Sequence, residues 1–84
     1  MIARSTIPFA DLRQLLLDLG FTVSKRGKFW FFEHKLSETI LPYRPYRVRE
    51  RVTLRDLHMT RFFLDWRGVL APEAFDDRLK KATA

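Results

Sequence analysis

Phe9, Leu12, Leu15, Leu16 and Leu19 recur at the three- and four-residue spacing of one helix face, behind Pro8 and ahead of Gly20. Proline suits the first helical position, whose N–H has no partner anyway, and glycine suits the left-handed residue past a helix end. The spacing therefore predicts a helix that opens at Pro8 and stops at Gly20. The period then shortens to two. Phe21 to Lys25 alternates, Arg26-Gly27 offers a tight turn, and Lys28 to His34 is dense in aromatics, which together predict a hairpin. Glu38 to Tyr43 is the third strand, ended or held at a sheet edge by Pro42, which has no N–H for a ladder.

Thr53 followed three residues on by Asp56 has the spacing of a helix N-cap, and apolar residues continue to Trp66 ahead of Gly68. A short third helix is expected from Pro72 to about Lys80, with Glu73 near its start and Lys80 and Lys81 near its end, matching the helix dipole. The order is helix, three strands, helix, short helix. It reads as an α+β fold with a three-stranded antiparallel sheet and the second helix packed on the same face as the first. No repeat or linker interrupts the 84 residues, so a single domain is expected.

With Arg26-Gly27 as a two-residue turn, Val23 lies opposite Trp30, Thr22 opposite Phe31 and Ser24 opposite Phe29. Phe21, Val23, Trp30 and Phe32 then form the core face. Phe29 and Phe31 fall on the opposite face, where a half-buried sheet ordinarily shows polar groups. They stack on bases, bury in a dimer or partner interface, or lie under the C-terminal helix. The second helix shows a similar excess. Leu54, Leu57, Arg61 and Leu64 share a stripe while Met59, Phe62, Phe63 and Trp66 point elsewhere, which calls for either a thick core capped by Phe75 and Leu79 or a protein interface.

Composition adds a charge asymmetry. The chain holds 16 Lys and Arg against 10 Asp and Glu, a net +6. Between Lys25 and Arg61 lie ten bases and four acids, so the whole excess sits mid-chain, densest from Arg44 to Arg55. Arginine interleaved with Tyr43 and Tyr46, near Trp30, suits phosphate contact with base stacking, as single-stranded RNA binding uses. A solvated loop or an acidic partner protein accounts for the same charge. The absence of cysteine excludes disulfides, thiolate metal sites and cysteine nucleophiles. The longest apolar runs fall far short of the ~18 residues of a membrane span, and Met1 to Phe9 lacks an h-region, so a cytoplasmic protein without membrane contact is expected.

Candidate chemistry is sparse. His34 and His58 are the only side chains with ordinary pKa values near neutrality, and neither has ligand spacing to a second histidine or an acid cluster. No metal or cofactor is expected, and no phosphate loop, H-E-x-x-H or G-x-S-x-G is present. His34 or His58 serves as a general base only if it reaches the proton to be moved.

Taken together, Leu19-Gly20-Phe21 closing a first helix, a basic turn before Gly27, strands ending at Ile40-Leu41-Pro42 and Val52-Thr53-Leu54-Arg55-Asp56-Leu57 opening a helix resemble the HicA family of toxins. The resemblance covers about residues 7 to 70 and leaves about 71 to 84 as a helical extension. It implies a fold like double-stranded-RNA-binding domains, ribosome-independent mRNA interferase activity, and neutralisation by a HicB antitoxin. This sequence departs from the family pattern at both histidines. Phe29 stands where the strand-two catalytic histidine is usual, and Arg44 where a second one follows proline by two residues.

A phenylalanine cannot take a 2′-hydroxyl proton, so the resemblance implies RNA binding without histidine-dependent cleavage. Lys25, Arg26, Lys28, Arg44, Arg47, Arg49 and Arg51 then contact phosphates, and Phe29 stacks. Two alternatives stay open. One is an active endoribonuclease with His34 or His58 as base. The other is an interaction module in which Phe29, Phe31, Phe62 and Phe63 bury against a HicB-like partner or a second copy.

Overall fold

The computed structural model describes residues 7–83. In chain order they form α1 (Phe9–Asp18), β1 (Thr22–Arg26), β2 (Phe29–His34), β3 (Thr39–Tyr43), α2 (Leu54–Trp66) and α3 (Pro72–Thr83). Residues 1–6 of the leading segment read above for an h-region lie outside the described residues.

Pro8 caps α1 rather than opening it, because its backbone is extended and pairs with Arg51 in an isolated antiparallel bridge. The first helical N–H groups have no partner within the helix. Here Phe9 N–H donates to the Glu50 carbonyl at 2.7 Å and Ala10 N–H to the Val48 carbonyl at 3.0 Å. The chain between β3 and α2 thus closes the start of α1. At the other end Gly20 takes φ +98°, with its N–H on the Leu17 carbonyl and Phe21 N–H on the Leu16 carbonyl, both at 3.0 Å. This paired closure places Phe21 in the core beside the strands.

The sheet order is β1-β2-β3, antiparallel throughout, so β3 is an edge strand and tolerates Pro42. The hairpin turn differs from the sequence reading. Arg26 pairs with Phe29, which makes Gly27-Lys28 the turn, and Gly27 supplies the positive φ of +61° that a two-residue hairpin needs at its first position. The register therefore runs Val23 to Phe32 and Lys25 to Trp30, two residues from expectation. A two-residue shift keeps every side chain on its face, whereas a one-residue slip exchanges the faces. Phe32, Leu41 and Tyr43 are buried on the inner face, and Phe29 and Ile40 are exposed on the outer one.

One core joins Phe9, Leu12 and Leu16 of α1, Phe32, Leu41 and Tyr43 of the sheet, Leu57 and Leu64 of α2, and Phe75 of α3. The first two helices, α1 and α2, cover the same sheet face. The third helix packs against α2, where Arg61 holds Asp76 through two bonds, Nε to Oδ1 at 3.0 Å and Nη2 to Oδ2 at 3.1 Å. It leaves the outer sheet face open.

Thr53 caps α2 as its spacing predicts, accepting the Asp56 N–H at 3.2 Å on its side chain. The Thr53→Ala variant should lose about 1–2 kcal/mol of stability, read as a lower urea midpoint with unchanged slope.

Candidate nucleic-acid interface

Antiparallel pairing fixes which basic residues meet. The end of β1, the start of β2 and the end of β3 lie at one end of the sheet, so the hairpin tip bearing Lys25, Arg26 and Lys28 adjoins the chain leaving β3 at Arg44. Trp30 ties the two together. Its indole Nε1 donates to the Tyr46 carbonyl at 3.1 Å, while the Lys25 ammonium sits 4.8 Å from its ring centre.

Residues 44–52 form the second basic segment, and it is anchored rather than loose. The Tyr46 ring stacks on Phe9 at 5.1 Å between centres. Its hydroxyl donates to the Asp56 carboxylate and accepts the Thr53 N–H at 3.1 Å. Burial and the Asp56 bond both hold the Tyr46 hydroxyl above its ordinary pKa. Further along, the Val48 and Glu50 carbonyls cap α1, Val52 N–H reaches the Ile7 carbonyl at 2.9 Å, and the Glu50 carboxylate accepts the Arg47 N–H at 3.1 Å. The two nearby acids, Glu50 and Asp56, are thus engaged in internal bonds.

The arginines between these anchors point outward. Lys25, Arg26, Lys28, Arg44, Arg47 and Arg49 are exposed and form no ion pair with a described residue. Arg51 is also exposed and lies in the bridge to Pro8. Cations gathered at one end of a sheet, in excess over the two nearby acids, create a positive field there, suited to phosphates.

Stacking by Tyr43 and Tyr46 does not survive the structure. Both are in the core, only 2% and 4% exposed, because their rings complete an aromatic cluster around Phe9 while their hydroxyls are hydrogen-bonded inside. Trp30 is half-buried in the same cluster, 5.3 Å from Phe9. The aromatics that do face outward beside the cations are Phe29 and Phe31. Phe29 is 54% exposed, and the Arg26 guanidinium lies 5.4 Å over the Phe31 ring.

The two histidines occupy different places. His34 ends β2 at the far end of the sheet, where its Nδ1 pairs with the Ser37 hydroxyl at 2.8 Å, accepts the Ser37 N–H at 3.3 Å, and its ring tilts against Phe21. Ser37 in turn bonds the Thr39 hydroxyl at 2.7 Å, so this cluster shapes the β2–β3 turn. From Phe29 to His34 is about 16 Å of strand. His58 is exposed on α2 and lines a groove of about 510 Å³ between α2 and α3, with Leu54, Phe62 and Phe75. His34 does not stand beside the gathered cations. No group of three His, Asp or Glu among the described residues is placed to hold a metal ion.

On α2, Phe75 and Leu79 cover only part of the apolar excess. Phe62 and Trp66 remain 60% and 64% exposed, stacked on each other at 6.4 Å, and Phe63 is half-buried beside them.

Fold and geometry define a small α+β domain, its three-stranded antiparallel sheet covered on one side by helices and carrying a cationic end. No family model, curated protein or solved structure matches the chain. No helix among the described residues is long and apolar enough to cross a membrane.

Proposed function

We propose that this chain is a HicA-like RNA-binding domain that holds RNA at the cationic end of its sheet and does not cut it by the family's histidine chemistry. The observation that carries the reading is the junction of the hairpin tip with the anchored 44–52 segment. It gathers Lys25, Arg26, Lys28, Arg44, Arg47 and Arg49, none of them in an ion pair with a described residue. Phe29, at the position of the family's histidine, sits beside that junction and offers no proton acceptor. A HicB-like antitoxin belongs to the same proposal as a protein partner.

The test is a labelled, mRNA-length transcript followed for retention and fragment size over a salt series. The wild type should retain RNA without fragments, with affinity falling steeply as salt rises. The Arg44→Gln/Arg47→Gln/Arg49→Gln variant should flatten the log–log salt slope by about 2, at ~0.7 per phosphate contact to a single strand. A salt-independent response sinks the reading. Fragments produced by the wild type and lost in His34→Ala or His58→Ala would instead establish an endoribonuclease with an unusual base.

A protein-contact reading is favoured at a different place, the exposed Phe62 and Trp66 pair on α2. If a second copy occupies it, light scattering gives a dimer mass, and Phe62→Asp returns the monomer.

A further inference from the structure

The outer sheet face carries a second feature beside the cations. Phe29 and Phe31 stand two residues apart on the central strand β2, both pointing away from the helices. Residues at that spacing are about 6.7 Å apart along the strand, so one base does not cover both, while neighbouring nucleotides of an extended strand reach one each. Their β1 neighbours on this face are Thr22, Ser24 and Arg26, and the central-strand run ends in Glu33. Ile40 and Pro42 of β3 complete the surface.

We infer that this face is a stacking platform for the bases of single-stranded RNA, an inference that rests on the RNA reading above. The open ring of Phe29 takes one base. Arg26, held over Phe31, presents its guanidinium to the next, and guanidinium planes stack on bases as aromatic rings do. Lys28 in the turn and Arg44 beyond β3 flank the platform and hold the backbone joining those nucleotides. A duplex does not fit this use, because its bases already have both faces covered. A second protein chain fits the β1 side less well, since Thr22 and Ser24 there offer it no apolar surface and serine is depleted at protein interfaces. Stacking reads no sequence, so little base preference is expected.

The test measures anisotropy of a labelled single-stranded RNA of about 12 nucleotides, alone and annealed to its complement, with wild type, Phe29→Ala, Phe31→Ala and Phe29→Trp. Exposed Phe29 should be replaceable without loss of fold, checked by the thermal midpoint. The wild type should prefer the single strand. Each alanine should weaken single-strand binding about 5- to 100-fold and leave duplex affinity and the salt slope unchanged, while Phe29→Trp retains binding. Equal single-strand affinity in the alanine variants overturns the platform. If the wild type binds duplex at least as tightly as single strand, with the arginine dependence intact, the RNA reading stands and the platform falls. Absence of binding to either form removes both. A wild-type dimer dissociated by Phe31→Ala assigns the face to a second copy and likewise overturns it.

Discussion

Phe9→Ala should remove a large part of the protein's stability. Phe9 is 1% exposed, and its ring meets Trp30, Phe32, Tyr43 and Tyr46 within 6.1 Å between centres. Truncating a buried phenylalanine costs about 3–5 kcal/mol, from lost apolar transfer and the cavity left behind. A domain of this length has only about 4–12 kcal/mol in total. The expected fall in thermal midpoint is therefore roughly 15–30 °C. A circular-dichroism melt reads it directly, and a shift under about 5 °C would show that the aromatic cluster does not hold the fold. The same ring seats Tyr46, so any folded remainder should also lose the arrangement of Arg44, Arg47 and Arg49. Leu36→Ala is the control, because that side chain is 94% exposed.

Raising the pH above about 10 should destabilise the protein steeply, and Tyr43→Phe should blunt the effect. The Tyr43 hydroxyl is buried 2.6 Å from the Thr60 hydroxyl, whose own proton goes to the Asp56 carbonyl at 2.7 Å, so Tyr43 must donate. Burial above all pushes its pKa far above the ordinary tyrosine range. The sign follows from proton counts. Above about pH 10 an unfolded tyrosine releases its proton while the folded one keeps it, so the unfolded state binds fewer protons and stability falls as pH rises. The contribution is intact below that pH and drains towards the folded value, at about 1.4 kcal/mol per pH unit for this group. Tyr46, shifted in the same direction, steepens the decline. Urea midpoints between pH 8 and 12 measure it. Tyr43→Phe should cost about 1 kcal/mol at neutral pH through the lost bond, yet decline less above pH 10. An unchanged alkaline slope in that variant would exclude Tyr43 as the source.

Much of the fold is legible along the chain because its signals are local. Gly20 and Gly68 stop helices, Thr53 starts one, and the alternation of Phe21 to Lys25 with a two-residue turn assigns faces that the two-residue register shift leaves intact. The hairpin turn is ambiguous in the sequence because Arg26-Gly27 and Gly27-Lys28 both contain the glycine, and only the backbone shows that it stands first. Long-range partners decide the rest. Tyr43 and Tyr46 sit among arginines and read as surface, yet Phe9 and Thr60, far off in sequence, draw them inside. The outward pair Phe29 and Phe31 is a product of strand period and is legible in the sequence. That the hairpin tip meets the 44–52 segment depends on a Trp30 indole bond spanning 16 residues, which no local pattern encodes.

The caps that the 44–52 segment gives α1 bear on how quickly and how tightly anything can be held there. A flexible basic loop loses backbone freedom when it closes on a ligand, at roughly 1–2 kcal/mol per residue fixed. Here folding has already fixed the backbone, through the Val48 and Glu50 carbonyls and the seated Tyr46 ring. Only side-chain freedom remains to be lost on association. Were a ligand to bind there, it would meet the segment preorganised, with encounter limited by diffusion and charge rather than by a search through loop conformations.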